Sequence, residues 1–314
     1  MELKKPIAKT QSKDDKKIQK RKADPGPFVD DGSYANVFTR PLNEDQAEVG
    51  YKGYVAIKVS KPNEERSLLW EASTLLRLRH VPGVIPVYQV KCAPDRTEIH
   101  MPFIDTNLDE IIRRNPQIMD KQFVQSVMKQ LLQTVSMVHY MNIIHCDIKP
   151  SNILYCFKTK KVFLIDFGFA VDRLIPVHAL PVQTEWWRSP EILYLGQNPA
   201  GRFDEKIDIW SLGVIMVDMI FKTMVIGEKA DAKEQDPNVR YLRAIDAMRQ
   251  ELYSCQGQIR QQFGEYCYDL LTCLLQPNPV KRLSAAAALK HSFFTLNSNN
   301  GHPSRLQKSS KNGR

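Results

Sequence analysis

Ile143-Ile144-His145-Cys146-Asp147-Ile148-Lys149-Pro150-Ser151-Asn152-Ile153-Leu154-Tyr155 sets three polar groups, Asp147, Lys149 and Asn152, between two short apolar runs. Val162-Phe163-Leu164-Ile165 follows and stops at Asp166-Phe167-Gly168. Of these runs Ile153–Tyr155 and Val162–Ile165 read as a short β patch, with Asp166 at the end of the second. Towards the N-terminus, Tyr54-Val55-Ala56-Ile57-Lys58-Val59 reads as a further strand with Lys58 embedded in it.

Around these runs the pattern changes character once. Residues 28–60 have a β signal. Pro62 opens a helix with Leu68, Leu75 and Leu78 on one face, and Val84–Val90 and Thr97–Phe103 read as strands. After Pro116 the spacing is helical: Phe123, Val127, Leu131, Leu132, Val135 and Val138 mark a helix over 120–141. Further helices are predicted at 205–222, 239–253, 261–275 and 284–290. A small β-rich half followed by a larger helical half is an α+β, bilobal plan.

Composition sets the limits. The chain has 314 residues, 43% hydrophobic and 25% charged, which is globular and sufficient for a sizeable core. Its net charge of +9 lies in the ends. Residues 1–24 hold nine Lys/Arg against four Asp/Glu, and 295–314 hold four Lys/Arg and no acid, so the body between them is neutral. Both ends read as disordered. Lys16-Lys17-Ile18-Gln19-Lys20-Arg21-Lys22 is either a patch for nucleic acid or an import receptor, or simply a solvated tail. No apolar stretch approaches the ~20 residues of a membrane helix, and no signal-peptide core is present, so no membrane contact is expected. The six cysteines form no C-x-x-C pair, which suggests a reducing, intracellular compartment, cytoplasmic or nuclear.

Lys58, Asp147, Asn152 and Asp166 are the residue types that phosphoryl transfer to a hydroxyl requires. A cation holds nucleotide phosphates, one carboxylate faces the acceptor hydroxyl, and a second carboxylate with an amide oxygen holds Mg2+.

In order and context these motifs, with Ser189-Pro190-Glu191, resemble those of eukaryotic protein kinases of the Ser/Thr type over about residues 26–294. The resemblance implies a kinase domain over 25–294, with a small lobe 25–103 and a large lobe 104–294. It implies ATP and Mg2+ as ligands. Lys58 would pair with the α- and β-phosphates and be held by Glu71, which opens the spacing Glu71, Leu75, Leu78, His80; Glu64 and Glu65 are less well placed alternatives. Asp147 would accept the substrate hydroxyl proton, Lys149 would contact the γ-phosphate, and Asn152 and Asp166 would bind Mg2+. Gly32, Val37, Ala56, Met101 and Ile104 would surround the nucleotide, Met101 beside the adenine. Glu191 and Arg282 would form a buried pair, and Asp208 would brace the catalytic loop. Val182-Gln183-Thr184-Glu185-Trp186-Trp187-Arg188-Ser189-Pro190-Glu191 is similar to the cyclin-dependent/MAP-kinase-like (CMGC) group, in which the equivalent of Arg188 favours proline after the phosphorylated residue. Protein substrates bearing Ser or Thr, including proline-directed ones, follow from that likeness. Met101-Pro102-Phe103 and Ser151–Tyr155 are also similar to the cell-division-cycle kinase that fires replication origins, so the subfamily stays open.

The departures carry expectations of their own. Of the Gly-rich loop only Gly32 remains, in Asp30-Asp31-Gly32-Ser33-Tyr34-Ala35-Asn36-Val37. A carboxylate roughly 5 Å from a phosphate at an effective dielectric of 20 costs about 3 kcal/mol before screening, which predicts weak ATP affinity unless Asp30 and Asp31 point outward. A pseudokinase, a nucleotide-binding scaffold without transfer, is the alternative this worn loop allows. Ser33-Tyr34 stands where cyclin-dependent kinases carry an inhibitory pair; it is a regulatory site or a polar loop tip. Cys146 replaces the arginine that pairs with an activation-loop phosphate, and Thr184 is the sole Ser or Thr between 169 and 188. Together these predict an activation loop set without phosphorylation. A thiol beside a carboxylate is also expected to have a raised pKa.

Overall fold

Five antiparallel strands open the computed structural model, which describes residues 27–32, 34–41, 53–174, 183–195 and 203–296. They are β1 (Phe28–Asp31), β2 (Ala35–Pro41), β3 (Tyr54–Ser60), β4 (Gln89–Ala93) and β5 (Arg96–Pro102), in the spatial order β1-β2-β3-β5-β4. The expectations for residues 1–24, for Ser33 and for the tail beyond Leu296 lie outside the described residues, whereas Thr295, expected to open a disordered tail, instead ends a helical turn (Ser292–Thr295).

β3 is central because its residues suit a strand covered on both faces: Val55 through Val59 are all buried. Its register sets Lys58 opposite Val37 on β2 and Ile99 on β5. Helix α1 (Glu65–Arg77) packs on β5 and β3 through Leu68, Ala72 and Leu75, and the same face buries Glu71. Glu71 lies four residues before Leu75, so the period that buries the leucines also points this carboxylate at the sheet.

The strand expected over Val84–Val90 is instead a loop with one isolated bridge, from Val84 to Leu164, and β4 begins only at Gln89. Pro86 lacks the N–H that a continuous ladder needs. The loop is held by Leu164 N–H on Gly83 O (2.7 Å) and Ile85 N–H on Leu164 O (3.1 Å).

The second layer is helical. α2 (Leu108–Arg114) is followed by α3 (Lys121–Tyr140), whose first turn is capped by Asp120 accepting from Phe123 N–H at 2.8 Å. α3 buries Val124, Val127, Leu131, Leu132, Val135 and Val138. Truncating one such leucine to alanine typically costs about 2–5 kcal/mol. β6 (Ile143–Ile144) pairs with β9 (Val171–Asp172), and β7 (Ile153–Cys156) with β8 (Lys161–Leu164). These two ribbons carry the catalytic-type loop and the Asp166 turn.

After α4 (Pro190–Leu195), α5 (Lys206–Phe221) is apolar nearly all round and buried along its length, as befits a helix that others pack around. α6 (Val225–Lys229) and α7 (Pro237–Ser254) follow, α7 with Asp236 as N-cap and Pro237 at its first position. The single helix expected over 261–275 is two, α8 (Gln256–Phe263) and α9 (Glu265–Leu274). Gly264 separates them at φ 97°, a conformation glycine adopts readily and an L side chain rarely. Two short turns, α10 (Ala285–Ala288) and α11 (Ser292–Thr295), close the described chain. No helix among the described residues is long and apolar enough to cross a membrane.

Candidate active site

Between the sheet and the helical layer lies a cleft of about 650 Å³. Gly32, Val37, Ala56, Met101 and Ile104 line it towards β1–β5, and Lys149, Asn152 and Asp166 line its floor. That volume suits a small ligand.

Lys58 and Glu71 meet in it: Nζ is 2.8 Å from Oε2, and both side chains are buried. Glu64 and Glu65 make no such contact; Glu64 accepts from Ser67 instead. Lys58 Nζ also reaches Asp166 Oδ1 at 2.9 Å. Burial works against the Lys58 charge, and the Glu71 and Asp166 carboxylates overcome it and raise its pKa. Burial likewise opposes ionisation of Asp166, but the Lys58 ammonium and hydrogen bonds from Tyr34 and Lys58 hold its carboxyl down at about 2. Glu71, fully buried beside a second carboxylate, is pushed up. One ammonium is thus shared between two carboxylates.

The third partner in this cluster is Tyr34. Its hydroxyl lies 2.6 Å from Asp166 Oδ1, 2.8 Å from Glu71 Oε2 and 3.0 Å from Lys58 Nζ. Burial and the two carboxylates raise its pKa, so it stays a protonated donor. The ring packs on Gly168 so closely that a Cβ there would come within 1.9 Å of the hydroxyl. The Tyr34 hydroxyl thus takes one hydrogen-bonding position on each of Lys58, Glu71 and Asp166. Asp30 and Asp31 also line the cleft; Asp31 pairs with Lys61 at 2.6 Å, and Asp30 accepts from Asp31 N–H.

The loop from His145 to Asn152 is built on Asp208, in the first turn of α5. Its buried carboxylate accepts from His145 N–H (2.9 Å), Cys146 N–H (3.0 Å) and His139 Nε2 (2.9 Å). These bonds hold Cys146 at φ 65°, and Asp166 stands at φ 66°; such residues typically store about 1–3 kcal/mol each. His145 Nδ1 accepts from Asp147 N–H (3.1 Å), which assigns the ring proton to Nε2, donating to Ile165 O (3.0 Å).

Asp147 is buried with both oxygens engaged. Oδ1 accepts from Thr184 Oγ1 (2.6 Å) and Thr184 N–H (3.1 Å); Oδ2 accepts from Lys149 Nζ (2.8 Å) and Asn152 Nδ2 (3.1 Å). Because Asn152 spends its amide hydrogens on Asp147, its carbonyl oxygen is the atom left for a cation. Among the described residues no group of three or more His, Cys, Asp or Glu could hold a metal ion. Asp166 and Asn152 instead offer hard oxygen donors from two side chains, which suits Mg2+ sharing its remaining positions with phosphate and water.

Cys146 lies in a small apolar cluster with Ile144, Val171, Ile192 and Ile207, against which Phe203 packs. Burial, then the Asp208 and Asp147 charges, push its thiol well above the usual range. On the outer side, Arg282 forks onto Glu191 at 2.6 and 2.9 Å, and its guanidinium lies 5.1 Å from the Trp210 ring centroid. Gln183 stands at φ 69°, and its carbonyl accepts from Arg188 Nη2 (2.8 Å) and Nε (3.3 Å). Trp187 Nε1 donates to the buried Asp218 (3.0 Å).

Sequence reasoning missed two of these features. The place of Tyr34 in the Lys58 cluster had one faint signal, an aromatic residue two positions after the loop's remaining glycine. The buried side chain of Gln183 had none.

Residues 28–294 match the family model of the protein kinase domain. Over 291 residues the chain is 29% identical to cyclin-dependent kinase 14 of Oryctolagus cuniculus and of Homo sapiens, covering 84% of this chain and 59% of each relative. Over 292 residues it is 29% identical to the serine/threonine-protein kinase ppk23 of Schizosaccharomyces pombe, covering 85% and 70%. The matched region thus spans about three-fifths of the cyclin-dependent kinase relatives.

Proposed function

The chain belongs to the protein kinase family, and from that premise we propose that it transfers the γ-phosphoryl group of ATP to serine or threonine hydroxyls of proteins. The observation that carries this reading is the meeting of Lys149, Asn152 and Asp166 on the floor of one cleft, with Asp147 bonded to Lys149 and Asn152 beneath it. The acceptor oxygen bonds to the γ-phosphorus as the bond to the β,γ-bridging oxygen breaks, and ADP departs with that electron pair. The hydroxyl proton passes to Asp147, whose Oδ1 exchanges its bond from the Thr184 hydroxyl for one from the substrate. Lys149, 2.8 Å from Asp147, sits where charge gathers on the transferred group. Lys58, oriented by Glu71, takes the inner phosphates. Asp166, ionised at neutral pH, and the Asn152 carbonyl oxygen are the groups to hold Mg2+, whose charge offsets that of the triphosphate.

Incubation with radiolabelled ATP, Mg2+ and a mixture of protein substrates, beside an Asp147→Asn control, tests this. Label is expected in substrate with the parent enzyme only. Nucleotide binding without label in any substrate is the result the scaffold reading requires.

Two finer parts of the proposal rest on particular contacts. Proline-directed selection is supported by Arg188 taking the Gln183 carbonyl, so that the substrate residue after the acceptor meets no main-chain acceptor there. A residue with an N–H leaves that donor unpaired, whereas proline has none to satisfy. Independence from activation-loop phosphorylation is supported by Cys146 sitting in an apolar cluster with Ile144, Val171, Ile192 and Ile207, and by Thr184 already tying the segment to Asp147 and Lys149. Mass spectrometry of active enzyme should show residues 169–188 unmodified. Contact of the basic arm with nucleic acid or an import receptor is a separate proposal, tested by salt-dependent DNA binding that is lost when residues 1–24 are removed.

A further inference from the structure

Beside Glu71, helix α1 carries a large side chain that the core does not account for. Trp70 is 43% exposed, and an indole has one polar function, a donating N–H. That N–H reaches main chain a hundred residues away: Nε1 donates to Ala170 O at 2.9 Å. Two turns further along the same helix, Arg77 Nη1 lies 3.0 Å from Asp172 Oδ2. Both acceptors belong to the short stretch that follows Asp166-Phe167-Gly168. Ala170 is buried, and its own N–H donates to Phe167 O at 3.1 Å. Val171 and Asp172 form β9, paired with Ile144 and Ile143 of β6, which lead into the loop of Asp147. The helix that presents Glu71 is thereby fastened at two points to the strand pair that supports that loop.

We infer that Trp70 is a positioning residue: its bond to Ala170 O, seconded by the Arg77–Asp172 pair, keeps α1 docked so that Glu71 stays on Lys58. The Arg77 side chain is 43% exposed, which makes that pair the weaker fastening. The Lys58 ammonium is shared between Glu71 and Asp166. When α1 swings away from the cleft, Glu71 leaves with it and Lys58 falls wholly to Asp166. The cation assigned to the inner phosphates and the carboxylate assigned to Mg2+ then neutralise each other. Two states of α1, docked and undocked, therefore differ in how well they take nucleotide, and the indole bond biases the chain to the docked one. The fastening is internal, so the helix is held on the sheet without a second protein. The consequence for catalysis rests on the phosphoryl-transfer reading above.

The test uses the full chain, purified alone, and two readouts: hydrogen exchange of the amides of residues 65–77 without nucleotide, and kcat/KM for Mg-ATP with a mixture of protein substrates. In the parent these amides are expected to be protected. Trp70→Phe keeps an aromatic ring and removes the N–H. Exchange over 65–77 is expected to quicken and kcat/KM for ATP to fall, each about fivefold, the worth of one ordinary hydrogen bond. Arg77→Ala, at a half-exposed position that leaves the fold intact, should move both readouts the same way by less. A loss that acts through Glu71 disappears once Glu71 is gone, so in Glu71→Ala the further change Trp70→Phe is expected to leave kcat/KM where it was. A Trp70→Phe variant that matches the parent in both readouts, or that costs as much in Glu71→Ala as in the parent, overturns the inference and leaves the kinase reading standing. Unprotected α1 amides in the parent overturn it too, because the chain then does not dock the helix by itself. Protected amides that Trp70→Phe loosens, in a parent that labels no substrate, uphold the fastening and overturn the transfer reading instead.

Discussion

The phenolic oxygen of Tyr34 lies 2.6 Å from Oδ1 of Asp166, the carboxylate assigned above to the metal ion. The two residues are 132 positions apart, and the same hydroxyl also bonds to Glu71 and Lys58. If Lys58 and Asp166 hold the nucleotide as proposed, Tyr34 competes with it for both.

Replacing Tyr34 by alanine is expected to lower the KM for ATP. If the competing contact is worth about 1 kcal/mol net, as for an ordinary hydrogen bond, the fall is roughly fivefold, with little change in kcat. Tyr34→Phe, which keeps the ring and loses the hydroxyl, should fall between parent and alanine variant. Asp30→Gly should lower KM less, because Asp31 is already paired with Lys61 and Asp30 with the Asp31 N–H. Steady-state kinetics over a range of ATP concentrations decide it; an unchanged or raised KM in Tyr34→Ala refutes the competition.

Asp147→Asn removes the proton acceptor and leaves a side chain of the same shape. The loss in kcat is expected to be about 10²–10⁴-fold, with the KM for ATP near the parent value, since Asp147 faces the acceptor rather than the nucleotide. A variant with full kcat would remove Asp147 from the chemistry.

The Glu191–Arg282 fork is a stability element. Breaking a buried pair from one side leaves an unpaired charge and costs about 3–5 kcal/mol; the guanidinium here is fully buried and the carboxylate 17% exposed. Arg282→Ala should shift urea unfolding by that order. Adding Glu191→Ala to it should cost little more, a strong coupling in the double-mutant cycle. Additive losses would show that the pair is not the source.

Asp218 gives the fold a pH dependence. Burial pushes its carboxyl up to about 7, against hydrogen bonds from Val225 N–H and Trp187 Nε1, with Asp109 and Glu228 adding to the rise. A raised pKa means that the native state holds the proton more tightly than the unfolded chain, whose carboxyl titrates near 4. Its contribution to stability is therefore complete below about pH 4 and is lost as pH rises through about 7. Melting temperatures measured at pH 6 and pH 8 should fall more steeply for the parent than for Asp218→Asn, which has no proton to lose. Equal slopes would place the titration elsewhere.

Much of this site was legible because its groups sit at the ends of apolar runs. Lys58 inside Val55–Val59, Asp147 after Ile143-Ile144 and Asp166 after Val162–Ile165 are marked by their own neighbours, whereas Glu71 was singled out from Glu64 and Glu65 only by the resemblance. The fold was misread where a single residue overrides an apolar run: Pro86 interrupts a strand, and Gly264 divides a helix. Tyr34 and Gln183 were not legible as working residues for a different reason. Their partners lie 24 to 132 residues away for the tyrosine and up to 28 for the glutamine, so no local pattern encodes the contact. Local sequence fixes which groups an element presents, and tertiary packing decides which of them meet.

Single-turnover transfer from labelled Mg-ATP to a Ser-Pro peptide, by enzyme treated with phosphatase and verified as unmodified between 169 and 188, tests the central claim most directly. Undiminished transfer that Asp147→Asn abolishes is the expected result. Tight nucleotide binding with no label reaching the peptide would contradict it.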